Sequence, residues 1–194
     1  PFTLAPYAES APNPDLAAQC GLDLTVVLDS SGSIGSTGIA NLKTATNSLM
    51  NALVDTGSSV SITSFSTTSP GSGGTNLNVL PLTTANLPTV KGAYSGLSSA
   101  GWTNWEAGLQ EAEDRFGGFS ANRPDLLVFI TDGNPNTIVG GNGGEFTDGA
   151  TGAVNPAIAI ANDMKALGTH MFGILVGANI NATPVKALTN EEAW

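Results

Sequence analysis

Two aliphatic runs in the sequence each end on an aspartate: LTVVLD, residues 24–29, and LLVFITD, residues 126–132. The first is followed by SSGS and the second by glycine, and a third short segment, GWTN at residues 101–104, adds a threonine. Together they supply five oxygen-bearing side chains: Asp29, Ser31, Ser33, Thr103 and Asp132. Hard divalent cations take oxygen ligands. Mg²⁺ in particular binds one or two carboxylates and leaves its other octahedral positions to water or substrate. Asp29 at a strand end, with Ser31 and Ser33 alternating in a turn that Gly32 relaxes, can direct oxygens inward. The set predicts a site for Mg²⁺, with Mn²⁺ or Ca²⁺ as alternatives in the same place.

Positioning these groups requires a rigid frame. A run such as Leu24 to Leu28 reads as a strand covered on both faces, which belongs to a parallel sheet, and ligands of open α/β sheets bind at the carboxyl edge. Strand and helix patterns then alternate. Ile39, Leu42, Thr46, Leu49 and Leu53 form a helical stripe, and Val60, Ile62 and Phe65 a second strand. Residues 77–82 form a third strand, and the turn-rich TTSPGSGGTN before it predicts a hairpin or antiparallel edge. A short helix over residues 87–97 precedes a helix presenting Trp105, Leu109, Ala112 and Phe116 on one face, capped by Asn104 or Thr103. After the second aspartate come a Gly-rich span at 133–152, a helix marked by Ile158, Ala161, Met164 and Leu167, a strand HMFGILVG, and a helix from Pro184. The expected fold is α/β: a doubly wound, mainly parallel sheet with helices on both faces and one antiparallel edge strand.

With 194 residues the chain is long enough for one well-buried domain, expected from residue 21 to 194 after an extended Pro-rich lead-in at 1–20. Its start at Pro1 and its end in LTNEEAW suggest a module cut from a longer protein. Six Lys plus Arg against 16 Asp plus Glu give a net charge of −10, which repels nucleic acid and anionic membranes. Sparse lysine with abundant Gly, Ser, Thr and Asn favours an extracellular or bacterial cell-surface protein. Cys20 stands alone, either as a small reduced core residue or as half of a bridge to another chain.

LTVVLDSSGSIG resembles the D-x-S-x-S signature of von Willebrand factor type A domains, also called integrin inserted domains; GWTN resembles their threonine loop and FITDG their second aspartate. The order of the three motifs agrees, and the likeness spans about residues 22–188. The resemblance implies a metal-ion-dependent adhesion site. Ser31 and Ser33 would bind the ion through hydroxyls and Thr103 directly in one state, with Asp29 and Asp132 acting directly or through waters. A carboxylate of a protein partner would complete the coordination. The expected function is a non-enzymatic, monomeric adhesion module, with Trp102, Gly133 and Asn134 as candidates for the ligand-binding rim.

Trp102 and Trp105 depart from the small residues usual around the family's threonine. Trp105 is expected in the core by its helical spacing. Trp102 either supports a partner at the rim or tucks beneath its loop, and the 133–152 span either shapes specificity or is a flexible insertion. Glu106, Glu111, Glu113 and Asp114 read as a solvated helix face. Rival functions fare worse. A haloacid-dehalogenase-type phosphatase needs a second carboxylate where Ser31 stands, an esterase needs G-x-S-x-G where the sequence is SGSIG, and His170 lies far from the motif loops in sequence. A structural module in a surface stalk, with metal serving stability alone, is the other alternative.

Overall fold

A computed structural model describes residues 7–16, 21–177 and 181–190. Cys20 lies outside them. Five strands, β1 (Asp23–Asp29), β2 (Ser59–Phe65), β3 (Leu77–Pro81), β4 (Leu126–Thr131) and β5 (His170–Leu175), form one sheet in the order β3-β2-β1-β4-β5. All neighbours are parallel except β3, which pairs antiparallel with β2 across a register irregularity between Val60 and Ile62. The expected doubly wound sheet with one antiparallel edge is therefore the observed one.

Alternation along the central strands sends side chains to two separate cores. Leu24, Val26, Leu28, Val128 and Ile130 pack beneath α1 (Gly35–Leu53) and α2 (Leu87–Ser95). Val27, Leu127 and Phe129 pack beneath α3 (Trp105–Glu113), α4 (Thr151–Ala166) and α5 (Thr183–Thr189). Trp105 is fully buried in the second core, edge-on to Phe129, as its spacing predicts. Phe65 stacks on the same Phe129. A polar pair interrupts this core, where the hydroxyls of Thr25 and Ser61 meet at 2.8 Å on adjacent strands and satisfy each other.

The described part of the lead-in, residues 7–16, has no regular structure yet is bonded along its length to α4, β5 and α5. The Ala8 and Ala11 amides donate to Asn155 and Asn162. Lys165, buried on α4, donates to the Ser10 hydroxyl and the Ala11 and Leu188 carbonyls. Asn13 acts as a surrogate strand residue: its amide nitrogen donates to the Met171 and Thr189 carbonyls, and its oxygen accepts from the Met171 amide. Proline-rich chain thus occupies the outer edge of β5, where it offers few free donors to a foreign strand.

Because Asn13→Ala strands the Met171 amide, it should cost about 1–3 kcal/mol of unfolding free energy in a urea titration. Asn78→Ala on the exposed surface of β3 should cost about 0.5 kcal/mol or less.

Candidate metal centre

Asp29 is the last residue of β1. The next element of the chain leads to β2 on one side of β1, and β4 arrives later on the other side, so the loops after β1 and β4 part and leave a crevice at their carboxyl ends. Asp29 is completely buried there. One carboxylate oxygen accepts from the Ser31 amide at 2.7 Å, a turn closed by the side chain, and the other accepts from the Thr131 hydroxyl at 2.6 Å. That hydroxyl also faces the Gly133 carbonyl at 2.9 Å and so ties both strand ends together. The Ser31 and Ser33 hydroxyls stand 3.1 Å apart, and Ser33 donates to Asp132 at 2.9 Å. Four of the five expected residues, Asp29, Ser31, Ser33 and Asp132, therefore form one connected constellation.

Its electrostatics are unbalanced. Burial pushes the Asp29 carboxyl up to about 6, against the hydrogen bonds from Thr131 and Ser31, and the charge of Asp132 adds to the rise. Burial also raises Asp132, with the Ser33 hydroxyl opposing it. The two ion pairs among the described residues, Arg115–Glu111 and Arg123–Asp125, involve neither carboxylate. No group of three His, Cys, Asp or Glu side chains gathers among the described residues. The donors are thus two carboxylates and neutral hydroxyls, a composition suited to a hard divalent cation and unsuited to a thiophilic one.

The GWTN loop is clamped to this turn by backbone. Gly32 donates to the Gly101 carbonyl, Ala100 to the Ser30 carbonyl, and the Ser99 hydroxyl caps the Ser31 and Gly32 carbonyls. Gly101 has φ +80°, and a Cβ there would fall 2.6 Å from the Thr67 hydroxyl, so only glycine makes this approach. Thr103 is buried, and its hydroxyl makes no hydrogen bond among the described residues, while its amide and carbonyl both pair with Asn136. Asn104, not Thr103, caps α3 by accepting from the Ala107 amide, and it also donates to the Thr67 carbonyl.

Residues 133–150 form a loop held by several side-chain hydrogen bonds, with α4 beginning at Thr151. The Glu145 carboxylate accepts from the Thr137 hydroxyl and the Ile138 amide. Asn136 reaches Asp148, and Val139 donates to Glu106. Glu106 is accordingly a structural anchor, not part of a solvated face. Trp102 is 48% exposed, and one side of its indole lies on Gly143 and Gly144, both at positive φ. Its other side is open, so the indole is half-exposed and backed by the loop rather than tucked beneath its own. Gly133 adjoins the Ser33 hydroxyl, where a Cβ would stand at 3.4 Å. Asn134 turns instead toward Gly149 and Pro184, with its amide oxygen buried and unbonded among the described residues.

Thr131 and Asn136 escape the sequence reading. A hydroxyl at the end of an aliphatic strand was the available signal for Thr131. Asn136 acts on a residue 33 positions away and leaves no local trace.

The sequence matches the family model of the von Willebrand factor type A domain over residues 23–193. The chain belongs to that family. No curated protein matches it. Among solved structures it is similar to the pilus adhesin SpaC of Lactobacillus rhamnosus GG, at 14% identity and TM-score 0.66, covering 94% of this chain and 29% of that one. A mussel byssus protein, proximal thread matrix protein 1, solved with a zinc-occupied MIDAS motif, aligns at 18% identity and TM-score 0.64 over 95% of this chain and 44% of that one. Manganese-loaded TRAP protein of Plasmodium vivax aligns at 18% identity and TM-score 0.62, covering 88% and 63%. This von Willebrand factor type A chain thus spans less than two thirds of each.

In this domain the indole and the diglycine form one packed unit. Gly144→Ala, whose Cβ would lie 2.6 Å from the Trp102 ring at a backbone φ of +69°, should destabilise by about 2 kcal/mol in urea unfolding. In a Trp102→Ala background the cost should fall to about 1 kcal/mol, the backbone part alone.

Proposed function

We propose that Asp29, Ser31, Ser33, Thr103 and Asp132 hold one divalent cation, Mg²⁺ or in its place Mn²⁺ or Ca²⁺, and thereby capture an Asp or Glu side chain of a protein partner. The observation that carries this reading is the fully buried Asp29 carboxylate, held above its usual range, bonded to the Ser31 amide and linked on through the Ser31 and Ser33 hydroxyls to a second carboxylate with no cationic side chain between them. A bound ion supplies positive charge there and an electrophilic position for an incoming anionic oxygen. Asp29 and Asp132 balance that charge. Ser31, Ser33 and Thr103 offer neutral oxygens, which leave the charge less quenched than further carboxylates would. Thr131 and the Ser31 amide orient Asp29, and Asn136 ties the Thr103 loop to the loop that follows β4.

The same geometry favours binding over catalysis. His170 begins β5 and pairs with Leu126 at the opposite end of the sheet, so no imidazole reaches the crevice. The pilus adhesin and the metal-loaded proteins among the structural neighbours support an extracellular or cell-surface adhesion module. Among the described residues no helix is long and apolar enough to cross a membrane.

Saturating Mg²⁺ or Mn²⁺, at about 100 times its dissociation constant, should stabilise the folded chain by about 2.7 kcal/mol. For a domain of this size that raises Tm by roughly 5–10 °C in a thermal scan. Ser31→Ala with Ser33→Ala should abolish the shift, and an equal shift in the double variant would place the ion elsewhere. Thr131→Val, which removes a hydroxyl bonded to Asp29 without changing its shape, should weaken metal binding about 10- to 100-fold by calorimetry. Saturable hydrolysis of an ester or phosphate that Asp29→Ala abolishes would refute the binding reading.

A further inference from the structure

Beside the metal centre the surface opens into a groove of about 410 Å³. α3 lines it from Asn104 through Ala107 and Gln110 to Glu111 and Asp114, and the chain at 67–69 and the loop tip at 138–141 complete it. The groove begins at the centre itself, because Asn104 follows Thr103 and the Thr67 hydroxyl accepts from the Trp102 amide at 2.9 Å. Both sides are firm. The tip is held by Val139 donating to Glu106 at 2.8 Å, and the 67–69 chain by Asn104 donating to the Thr67 carbonyl at 2.9 Å.

The chemistry of the lining is specific. Ala107, Ile138 and Val139 are apolar, with Val139 48% exposed. Two carboxylates, Glu111 and Asp114, stand at the far end, and no lysine or arginine is in the lining. Glu111 is bonded to Arg115 at 2.6 Å, whereas Asp114 is exposed and ends α3, where the helix dipole adds negative potential. A channel of neutral polar and apolar side chains that ends in negative charge matches a side chain with a hydrocarbon stem and a cationic head. A neutral apolar ligand would leave Asp114 unanswered, and an acidic one would be repelled.

We infer that this groove receives a lysine or arginine side chain from the same partner segment whose carboxylate is captured at the metal centre. The inference rests on the capture reading and adds to it a second, basic determinant. Its spacing follows from the helix. Asp114 lies ten residues beyond Asn104, about 15 Å at 1.5 Å per residue, and a lysine arm of about 6 Å plus extended chain at about 3.3 Å per residue covers that in roughly three residues. The partner therefore presents an acidic and a basic residue about three positions apart on an extended strand.

The test uses end-capped synthetic peptides and the whole chain in Mg²⁺ and in chelator at low salt, with affinity read from NMR shift titrations. The probes are Gly-Asp-Gly-Ser-Lys-Gly, its reversed-order counterpart Gly-Lys-Gly-Ser-Asp-Gly, and each with norleucine for lysine or asparagine for aspartate. In Mg²⁺ one of the two lysine peptides should bind about three- to fivefold more tightly than its norleucine partner, the scale of an exposed ion pair. Asp114→Asn should erase that margin and leave norleucine-peptide binding unchanged. Asp15→Asn, in the strap along β5, should preserve the margin and so exclude a general charge effect. Metal-dependent, aspartate-dependent binding without a lysine margin, or a margin that survives Asp114→Asn, overturns the groove inference and leaves the capture reading standing. Binding indifferent to metal and to the aspartate overturns both.

Discussion

A carboxylate fully removed from water at the end of the central strand is the constraint around which the rest of this domain is arranged. Burying an ion of that size is tolerable only with dedicated hydrogen bonds or a countercharge. Asp29 has the first from the Ser31 amide, in the turn after β1, and the Thr131 hydroxyl, at the end of β4, on either side of the sheet's switch point. The turn after β1 cannot relax without losing one donor, and β4 cannot slide without losing the other. The remaining imbalance of charge is what makes a cation the natural complement of the site.

Rigidity then spreads outward through backbone bonds rather than through further charge. Gly32 and Ala100 exchange bonds with the opposite loop, and Asn136 grips Thr103 by both its amide and its carbonyl. The long loop is held in turn by Glu145 within it and Glu106 beneath it. Glycine at 143 and 144 permits the indole of Trp102 to lie on the main chain, so a large apolar face stands beside the centre without a mobile side chain behind it. An anchor presented this way loses little conformational entropy on contact, which favours interface use.

How much of this was legible in the sequence depended on the range of the interaction. Strands and helices were readable because periodicity is local: Leu24, Val26 and Leu28 on one face and Ile39 and Leu42 opposite them announce their own packing. Asp29 and Asp132 stood out because each follows or ends an aliphatic strand, and Ser31 and Ser33 because they alternate in the turn after the first of them. Three features were not readable. Asn136 and Glu106 have roles assigned by residues some 33 positions away, and Glu106 resembled a solvated charge until the loop folded onto it. The choice between a rim and a tucked position for Trp102 depended on which glycines a distant loop placed against it. The Pro-rich lead-in carried no sign that Asn13 would stand in for a strand residue, since its partners lie on β5 and α5.

The overall charge of −10 sharpens what the site can select. At physiological ionic strength the Debye length is about 8 Å, so the field of the whole surface reaches an approaching partner only weakly, yet its sign opposes acidic segments. The proposed capture of a carboxylate would then depend on contacts made within the last few ångströms, where a bound cation and neutral hydroxyls would act at close range. An isolated acidic residue meets this barrier without compensation. A segment that carries a positive charge near its acidic one approaches a surface that attracts half of it, and its orientation is set before the carboxylate arrives. The proposed capture would accordingly discriminate against uniformly acidic partners, with the carboxylates along α3 and the crevice beside them serving opposite charges of one ligand.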